Sequence, residues 1–285
     1  MKSQLLFCTF TIFFLCLNLQ CDNLDKTVFL SILARNKAHT LARFLQCIEK
    51  LDYEKKLITV YINTNNNVDN TAEILEDWII KNREFYKEIM YEKHDASLLH
   101  STTTNPHEWN SNRFHTLACI RNKSLALAIQ KNVDFYFVVD CDNFIKSETL
   151  KNLMSENKPI IAPMLKSVPE PNDYYSNFFC AIDDYGYYKH HENYNKILKR
   201  EIIGTFEVPV VHCTYLIQAQ YLPFLSYTDT TNDYEFVIFS RVARKNSIKQ
   251  YITNKKDFGS LVHFFDNVTL EEEKQRLIKY FSHHI

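Results

Sequence analysis

The chain has 285 residues, 46% of them hydrophobic and 14% aromatic, so it is long enough for one large domain or two small ones. Its formal net charge of −1 argues against a protein that binds nucleic acid by bulk electrostatic attraction. Only 3 glycines occur, and neither GxGxxG nor GxxxxGK is present, which excludes a glycine-rich phosphate-binding loop.

The first 21 residues have the layout of a secretory signal peptide. One lysine precedes an apolar run from Leu5 to Leu17, and polar residues follow. A retained signal-anchor is the alternative, but the run is short for a spanning helix. Because no later segment is apolar enough, we expect no stable membrane span after cleavage. Two acceptor sequons, at Asn122 and Asn267, accord with a lumenal location.

Strand-like and helix-like segments alternate along the rest of the chain. Continuous apolar runs predict strands at 27–36, 57–66, 88–94, 133–142 and 159–165, while apolar spacings of three and four predict helices at 39–51, 69–82, 115–132 and 147–157. The polar segment 95–113 is predicted to be a surface loop, and 232–245 is predicted to be a later helix. We expect one α/β domain from about residue 26 to 285, with a mostly parallel sheet flanked by helices.

Ligands of such sheets bind at the carboxyl ends of the strands, and three polar clusters fall there. They are Arg35-Asn36, the stretch from Asn63 to Asp69, and the stretch from Asp140 to Asn143. Taken as an extended segment, Asp140 and Asp142 would point to one face, where two carboxylates repel unless a cation lies between them. Oxygen ligands suit Mg²⁺ or Mn²⁺, which can hold a diphosphate without a glycine loop. Cys141 between them is expected to be a small buried filler, and no CxxC pair suggests zinc.

Six ordered segments resemble the N-terminal glycosyltransferase domain of the procollagen galactosyltransferases. They read LARNKAHTL, NNNVDNTAEIL, VVDCDNFI, IIAPML, YYSNFFCAI and VPVVHCTYL. The resemblance implies a GT-A-like nucleotide-diphospho-sugar transferase fold and Mn²⁺-dependent, inverting transfer of galactose from UDP-galactose to hydroxylysine of a collagen-like polypeptide, in the lumen of the endoplasmic reticulum. Two positions depart from the family pattern, since Phe179 replaces a tryptophan and Tyr234-Glu235 replaces an acidic pair.

Each candidate site residue has a predicted role. Asp140 and Asp142 are the expected metal ligands, with His263 as a third ligand and His212 as its alternative. An inverting transfer also needs a base near the acceptor hydroxyl, for which Glu235 is the first candidate and Asp233 the second. The expected donor-binding residues are Arg35, Asn36, Asp69, Arg121 and Asn143.

Three questions stay open at the level of the sequence. The domain could keep the fold and the UDP and metal site without being catalytic, because full-length family members carry a second transferase domain. The donor could equally be UDP-glucose. Disulfide pairing and oligomeric state, a homo-oligomer included, are not determined.

The aromatic segment from Asn172 to Phe179 is expected to line an acceptor groove, with half of its side chains in the core.

Overall fold

A computed structural model describes residues 25–94, 111–168, 175–262 and 268–282. The predicted leader, the sequon at Asn267 and the candidate ligand His263 lie outside these residues. Among the described residues, no helix combines the length and apolar character that crossing a bilayer requires.

The first half of the chain alternates strands and helices as predicted. It comprises β1 (Val28–Ala34), α1 (Ala38–Glu49), β2 (Ile58–Asn65), α2 (Thr71–Asn82), β3 (Glu88–His94), α3 (Ser111–Gln130), β4 (Phe135–Val139), β5 (Asn143–Ile145), α4 (Thr149–Ser155) and β6 (Ile160–Pro163). The predicted end of the loop 95–113 was wrong, because α3 already begins at Ser111 and so includes Arg113.

The second half has shorter elements. It comprises β7 (Lys166–Val168), β8 (Phe178–Phe179), β9 (Ala181–Ile182), β10 (Tyr188–Lys189), α5 (Glu192–Leu198), β11 (Thr205–Val208), β12 (Val210–Val211), β13 (Thr214–Gln218), α6 (Glu235–Lys245), β14 (Gln250–Thr253), β15 (Gly259–Val262) and α7 (Leu270–Ser282). Short 3₁₀ turns occupy Lys55–Leu57 and Ala219–Phe224.

Eight strands form the central sheet in the order β11-β14-β6-β13-β4-β1-β2-β3. The pairs β4–β1, β1–β2, β2–β3 and β6–β14 are parallel, whereas β13 runs antiparallel to both of its neighbours and β11 antiparallel to β14. The mostly parallel sheet predicted from the sequence is therefore confirmed. Since β4, β1 and β2 are adjacent and parallel, the loops that follow them meet at one edge.

Alternate side chains of the sheet enter two hydrophobic cores, one on each face. From β1, Val28, Leu30 and Ile32 enter one core and Phe29 enters the other. In β4, Phe137 and Tyr136 divide in the same way. Helices therefore cover both faces, which is why these strands read as continuous apolar runs.

Candidate functional site

The Asp-x-Asp motif forms a tight turn directly after β4. The backbone N–H of Asn143 donates to the carbonyl of Asp140 at 3.0 Å, which closes the turn. The expectation of an extended segment was wrong, because the strand ends at Val139 and β5 begins at Asn143. Asp140 N–H donates to the carbonyl of Cys213 at 3.0 Å, and Val262 N–H donates to the carbonyl of Asp142 at 2.9 Å. The residue just before the antiparallel strand β13 and the last residue of β15 therefore fix the backbone of the two aspartates.

Cys141 and Asn143 fix the turn from inside the protein. Cys141 is buried, as predicted, and its Sγ donates to the carbonyl of Leu33 at 3.3 Å. Asn143 is also buried, and its Nδ2 donates to Oγ1 of Thr214 at 2.7 Å. These contacts position the turn, and a direct role of Asn143 in donor binding stays a prediction.

Each carboxylate of the motif is paired with a cation from a different element. Arg121 of α3 donates from Nη2 to Oδ1 of Asp140 at 2.9 Å, and Lys37, just before α1, donates from Nζ to Oδ2 of Asp142 at 2.6 Å. The Arg121 side chain is 6% exposed, whereas that of Lys37 is 22% exposed. Burial alone would lower the pKa of Lys37, but the adjacent Asp142, with a contribution from Glu273, raises it. Oδ2 of Asp140 and Oδ1 of Asp142 lie outside these two ion pairs.

Arg121 also joins the motif to Glu235, the first residue of α6. Its Nε lies 3.7 Å from Oε1 of Glu235, and its guanidinium lies 5.7 Å from the ring centroid of Tyr227. Burial raises the pKa of Glu235; Arg121 opposes this rise and Asp140 adds to it. Burial likewise raises the pKa of Asp140 against the effect of Arg121. Asp140, Arg121 and Glu235 therefore form one chain of charges, in which Arg121 and Glu235 are buried and Asp140 is partly exposed.

Asp233 belongs to a different network, although it is only two residues from Glu235. Arg241 donates from Nη2 to Oδ2 of Asp233 at 2.5 Å, and the hydroxyl of Tyr187 donates to Oδ1 at 2.9 Å. Arg241 also pairs with Asp229 at 2.7 Å. Although burial acts to raise it, the hydrogen bonds from Arg241 and Tyr187 lower the pKa of Asp233. The two candidate bases thus have opposite pKa shifts.

The loops after β1 and β2 are bonded into a single unit. Asn36, at a φ of 53°, donates from its backbone N–H to Oδ1 of Asn67 at 2.9 Å, and its own Oδ1 accepts from Val68 N–H at 2.8 Å. Asp69 accepts from the N–H groups of Ala38 and Thr71 at 3.1 and 3.0 Å. Asp69 therefore ties the loop after β2 to the start of α1, and its role toward a nucleoside stays a prediction.

Two arginines add positive charge near this edge. Burial, followed by the neighbouring Arg35, lowers the pKa of Arg113 to about 10, and burial lowers that of Arg35. Arg113 also interacts electrostatically with Glu235, so α3 directs a second arginine toward the same acid as Arg121. Sequence reasoning missed Arg113 because it assigned that residue to a loop. It also missed Lys37, although Lys37 directly follows the Arg35-Asn36 pair at the end of β1.

Within the part of the chain that the structure describes, no three His, Cys, Asp or Glu side chains are grouped to hold a metal ion. The candidate His263 lies outside the described residues. His212 is buried between the rings of Phe179 and Phe236, at centroid distances of 5.6 and 4.9 Å, and burial lowers its pKa to about 4. The described oxygen donors for an ion are therefore Asp140 and Asp142, whose chemistry fits Mn²⁺ or Mg²⁺.

A chain of aromatic rings lies beside Glu235. Its members contact one another pairwise with centroid distances of 4.3 to 6.0 Å, and they are Phe114, Phe179, Tyr187, Tyr234 and Phe236. Of the predicted acceptor segment, Ser176, Asn177 and Phe178 are buried, while residues 172–174 lie outside the described residues. Phe179 is therefore the part of that segment that this ring chain includes.

Comparison with known proteins places these features in a family. The model of the glycosyltransferase family 25 N-terminal domain matches residues 25–281. The chain is 36% identical over 263 residues to procollagen galactosyltransferase 2 of Mus musculus, covering 88% of this chain and 41% of that protein. It is 30% identical over 263 residues to inactive glycosyltransferase 25 family member 3 of Mus musculus, covering 88% and 43%.

The fold is also found among solved structures. A crystal structure of GalNAc-T7 with UDP, GalNAc and Mn²⁺ superposes with a TM-score of 0.54 at 12% identity, covering 86% of this chain and 45% of that chain. This likeness shows a GT-A glycosyltransferase fold. The chain spans about two fifths of the length of the curated relatives that it matches. It belongs to glycosyltransferase family 25 and corresponds to that family's N-terminal domain.

Proposed function

We propose that this domain transfers galactose from UDP-galactose to hydroxylysine in collagen-like polypeptides, with inversion at the anomeric carbon, in the lumen of the endoplasmic reticulum. The observation that carries the proposal is the charge chain Asp140–Arg121–Glu235 at the carboxyl edge of the sheet. It combines an Asp-x-Asp carboxylate with an acid of raised pKa. The similarity to procollagen galactosyltransferase 2 supports galactose as the transferred sugar and a collagen-like polypeptide as the acceptor.

Asp140 and Asp142 would hold a divalent ion through the carboxylate oxygens that lie outside their ion pairs, Oδ2 of Asp140 and Oδ1 of Asp142. A bound Mn²⁺ or Mg²⁺ would offset the charge that develops on the departing diphosphate. Arg35 and Arg113, with their lowered pKa, add fixed positive charge for the same phosphate groups. The joined loops around Asn36 and Asp69 form the surface on which the nucleoside would lie.

Glu235 acts as the general base in this proposal. Its carboxylate takes the proton of the hydroxylysine hydroxyl, whose oxygen forms the new bond to the anomeric carbon. The bond from that carbon to UDP breaks, and UDP leaves with the electron pair. A carboxyl of raised pKa is better suited to this role near neutral pH than Asp233, whose pKa is lowered. The neighbouring aromatic rings offer faces against which an acceptor peptide and a sugar can pack.

The proposal is tested by a transfer assay with Mn²⁺ and either UDP-galactose or UDP-glucose. The acceptors are two synthetic collagen-like peptides that differ in one residue, hydroxylysine or lysine. We expect galactose on the hydroxylysine peptide, none on the lysine peptide, and loss of transfer in Asp142→Asn. A preference for UDP-glucose would contradict the donor, and transfer that survives Asp140→Asn together with Asp142→Asn would contradict the metal site.

The second candidate is a non-catalytic domain that keeps UDP and metal binding. It is favoured by the 30% identity to inactive glycosyltransferase 25 family member 3. Calorimetric titration with UDP and Mn²⁺ separates the two. Binding of UDP that requires Asp142, without transfer to either peptide, would select the non-catalytic domain.

A further inference from the structure

The Lys37–Asp142 ion pair lies at an oxygen-donor site proposed for a divalent ion. Lys37 Nζ is 2.6 Å from Oδ2 of Asp142, so a cation bound across Asp140 and Asp142 would be within a few ångströms of this ammonium. Two positive groups at that distance repel strongly where water is partly excluded. The Lys37 ammonium and the divalent ion therefore compete for the carboxylate of Asp142.

The two cationic side chains that pair with the motif differ in how easily they can move away from its carboxylates. Arg121 is 6% exposed and held by Asp140, Glu235 and the ring of Tyr227. Lys37 has a flexible four-carbon stem and is 22% exposed, although Thr71 Oγ1 fixes its backbone N–H at 2.7 Å. Its ammonium can thus move while its backbone stays in place, whereas Arg121 has to remain.

We infer that Lys37 is a displaceable counter-ion, which pairs with Asp142 when the site holds no metal and is expelled from it when a divalent ion binds. The inference deepens the proposed function and rests on Asp140 and Asp142 as its metal-binding pair. Without metal, the ammonium prevents a half-buried carboxylate from being left unpaired. With metal, its expulsion subtracts from the binding free energy, so Lys37 lowers the metal affinity of the domain.

Mn²⁺ affinity, measured from the electron paramagnetic resonance signal of the free ion, tests this competition. We expect Lys37→Met to bind Mn²⁺ at least tenfold more tightly than the wild type, and Lys37→Arg, which keeps the charge, to stay within about threefold of it. Lys131→Met is the matched control, because Lys131 makes a 2.6 Å pair with Glu88, at the start of β3. It should leave the affinity unchanged.

A second measurement needs no variant. The acylation rate of each lysine in the wild-type protein is followed by mass spectrometry, with and without Mn²⁺ and without nucleotide. Mn²⁺ should raise the rate at Lys37 severalfold and leave that at Lys131 unchanged. An unchanged rate at Lys37 under Mn²⁺ saturation overturns the inference.

The outcomes separate this inference from the function on which it rests. If the wild type and Lys37→Met bind Mn²⁺ with equal affinity, the inferred displacement is overturned, while the proposed galactose transfer is not affected by the result. Absence of Mn²⁺ binding to both proteins overturns the displacement and the metal site together. If galactose is transferred but Mn²⁺ does not displace Lys37 from Asp142, the proposed function stands and this inference is wrong.

Discussion

Replacing Arg121 by methionine should destabilise the domain far more than an equivalent change elsewhere. Methionine keeps much of the packing volume but leaves Asp140 and Glu235 without the guanidinium that lies 2.9 and 3.7 Å from them. Removal of one partner from a buried ion pair costs roughly 3–5 kcal/mol of unfolding free energy. Because the Asp140 side chain is 27% exposed and the Glu235 contact is longer than a hydrogen bond, we expect the lower end, about 3 kcal/mol.

The loss should also depend on pH in a defined direction. The folded-state pKa of Asp140 and of Glu235 is already raised by burial, and Arg121 opposes both rises. Without Arg121 both pKa values rise further, so the folded variant binds protons more readily than its unfolded chain. Its stability then falls as pH increases from the ordinary carboxyl pKa values of 3.8 and 4.5 through the raised ones. The variant should therefore be less destabilised at pH 5 than at pH 7.5.

Urea unfolding in the presence of a chelator measures both effects, with Arg241→Met as the matched control. Arg241 also pairs with two carboxylates, Asp229 and Asp233, but its side chain is 23% exposed, against 6% for Arg121, so water can replace part of what its removal takes away. We expect this control to lose about 1 kcal/mol or less, with little dependence on pH. Equal losses for the two arginine variants, or a loss at Arg121 that does not shrink at pH 5, would refute the reasoning.

Three further predictions concern the base and the fold. Glu235→Gln should lower transfer by about 10²- to 10⁴-fold with UDP binding retained, whereas Asp233→Asn should keep most transfer; the peptide assay and a UDP titration check both. Gly259→Ala should cost about 2–4 kcal/mol in urea unfolding, because φ is +117° and the new Cβ would lie 2.0 Å from the carbonyl of Phe144. Gly186→Ala, where the nearest atom is a side-chain carbon at 3.1 Å, is its milder control, and equal losses would contradict this account. Asn177→Ala should cost about 2–4 kcal/mol, since the amide bonds the backbone of Leu165, Pro163 and Thr214, and a thermal shift below 2 °C would contradict it.

The sequence predicts the regular part of the fold because long elements carry a periodic signal. The strands β1 to β4, of five to eight residues, and the helices α1 to α4 and α6, of seven to twenty, were found within a few residues of their true ends, whereas β13, α5 and α7 were not predicted. The strands between Lys166 and Val211 have two to four residues, which is too short for a period of two to be recognised. Asn177 shows the same limit, because a buried amide that bonds the backbone of two distant segments looks like a loop residue in the sequence.

The site is predicted less completely, because its contacts join distant positions. Lys37 and Asp142 are 105 residues apart, and no local pattern pairs them. The geometry of the motif itself also escaped prediction. The apolar run continues into Asp140 without a glycine or proline, yet the strand stops because the Asp140 N–H bonds to Cys213 and Asn143 closes a turn. The first of these bonds is accepted by the residue just before β13, a strand that runs opposite to its neighbours and whose position the sequence does not reveal.

The two acids before and at the start of α6 show how position decides chemistry. In the sequence Glu235 is the first candidate for the base and Asp233, two residues before it, is the alternative. In the structure, the helix begins between them, so Glu235 turns inward to Arg121 while Asp233 stays with the partly exposed Arg241. Burial raises the pKa of the first, and direct hydrogen bonds lower that of the second. A general base that accepts a proton from an alcohol works best when its pKa is close to the working pH. The buried Glu235, with its raised pKa, therefore fits the reaction better than Asp233.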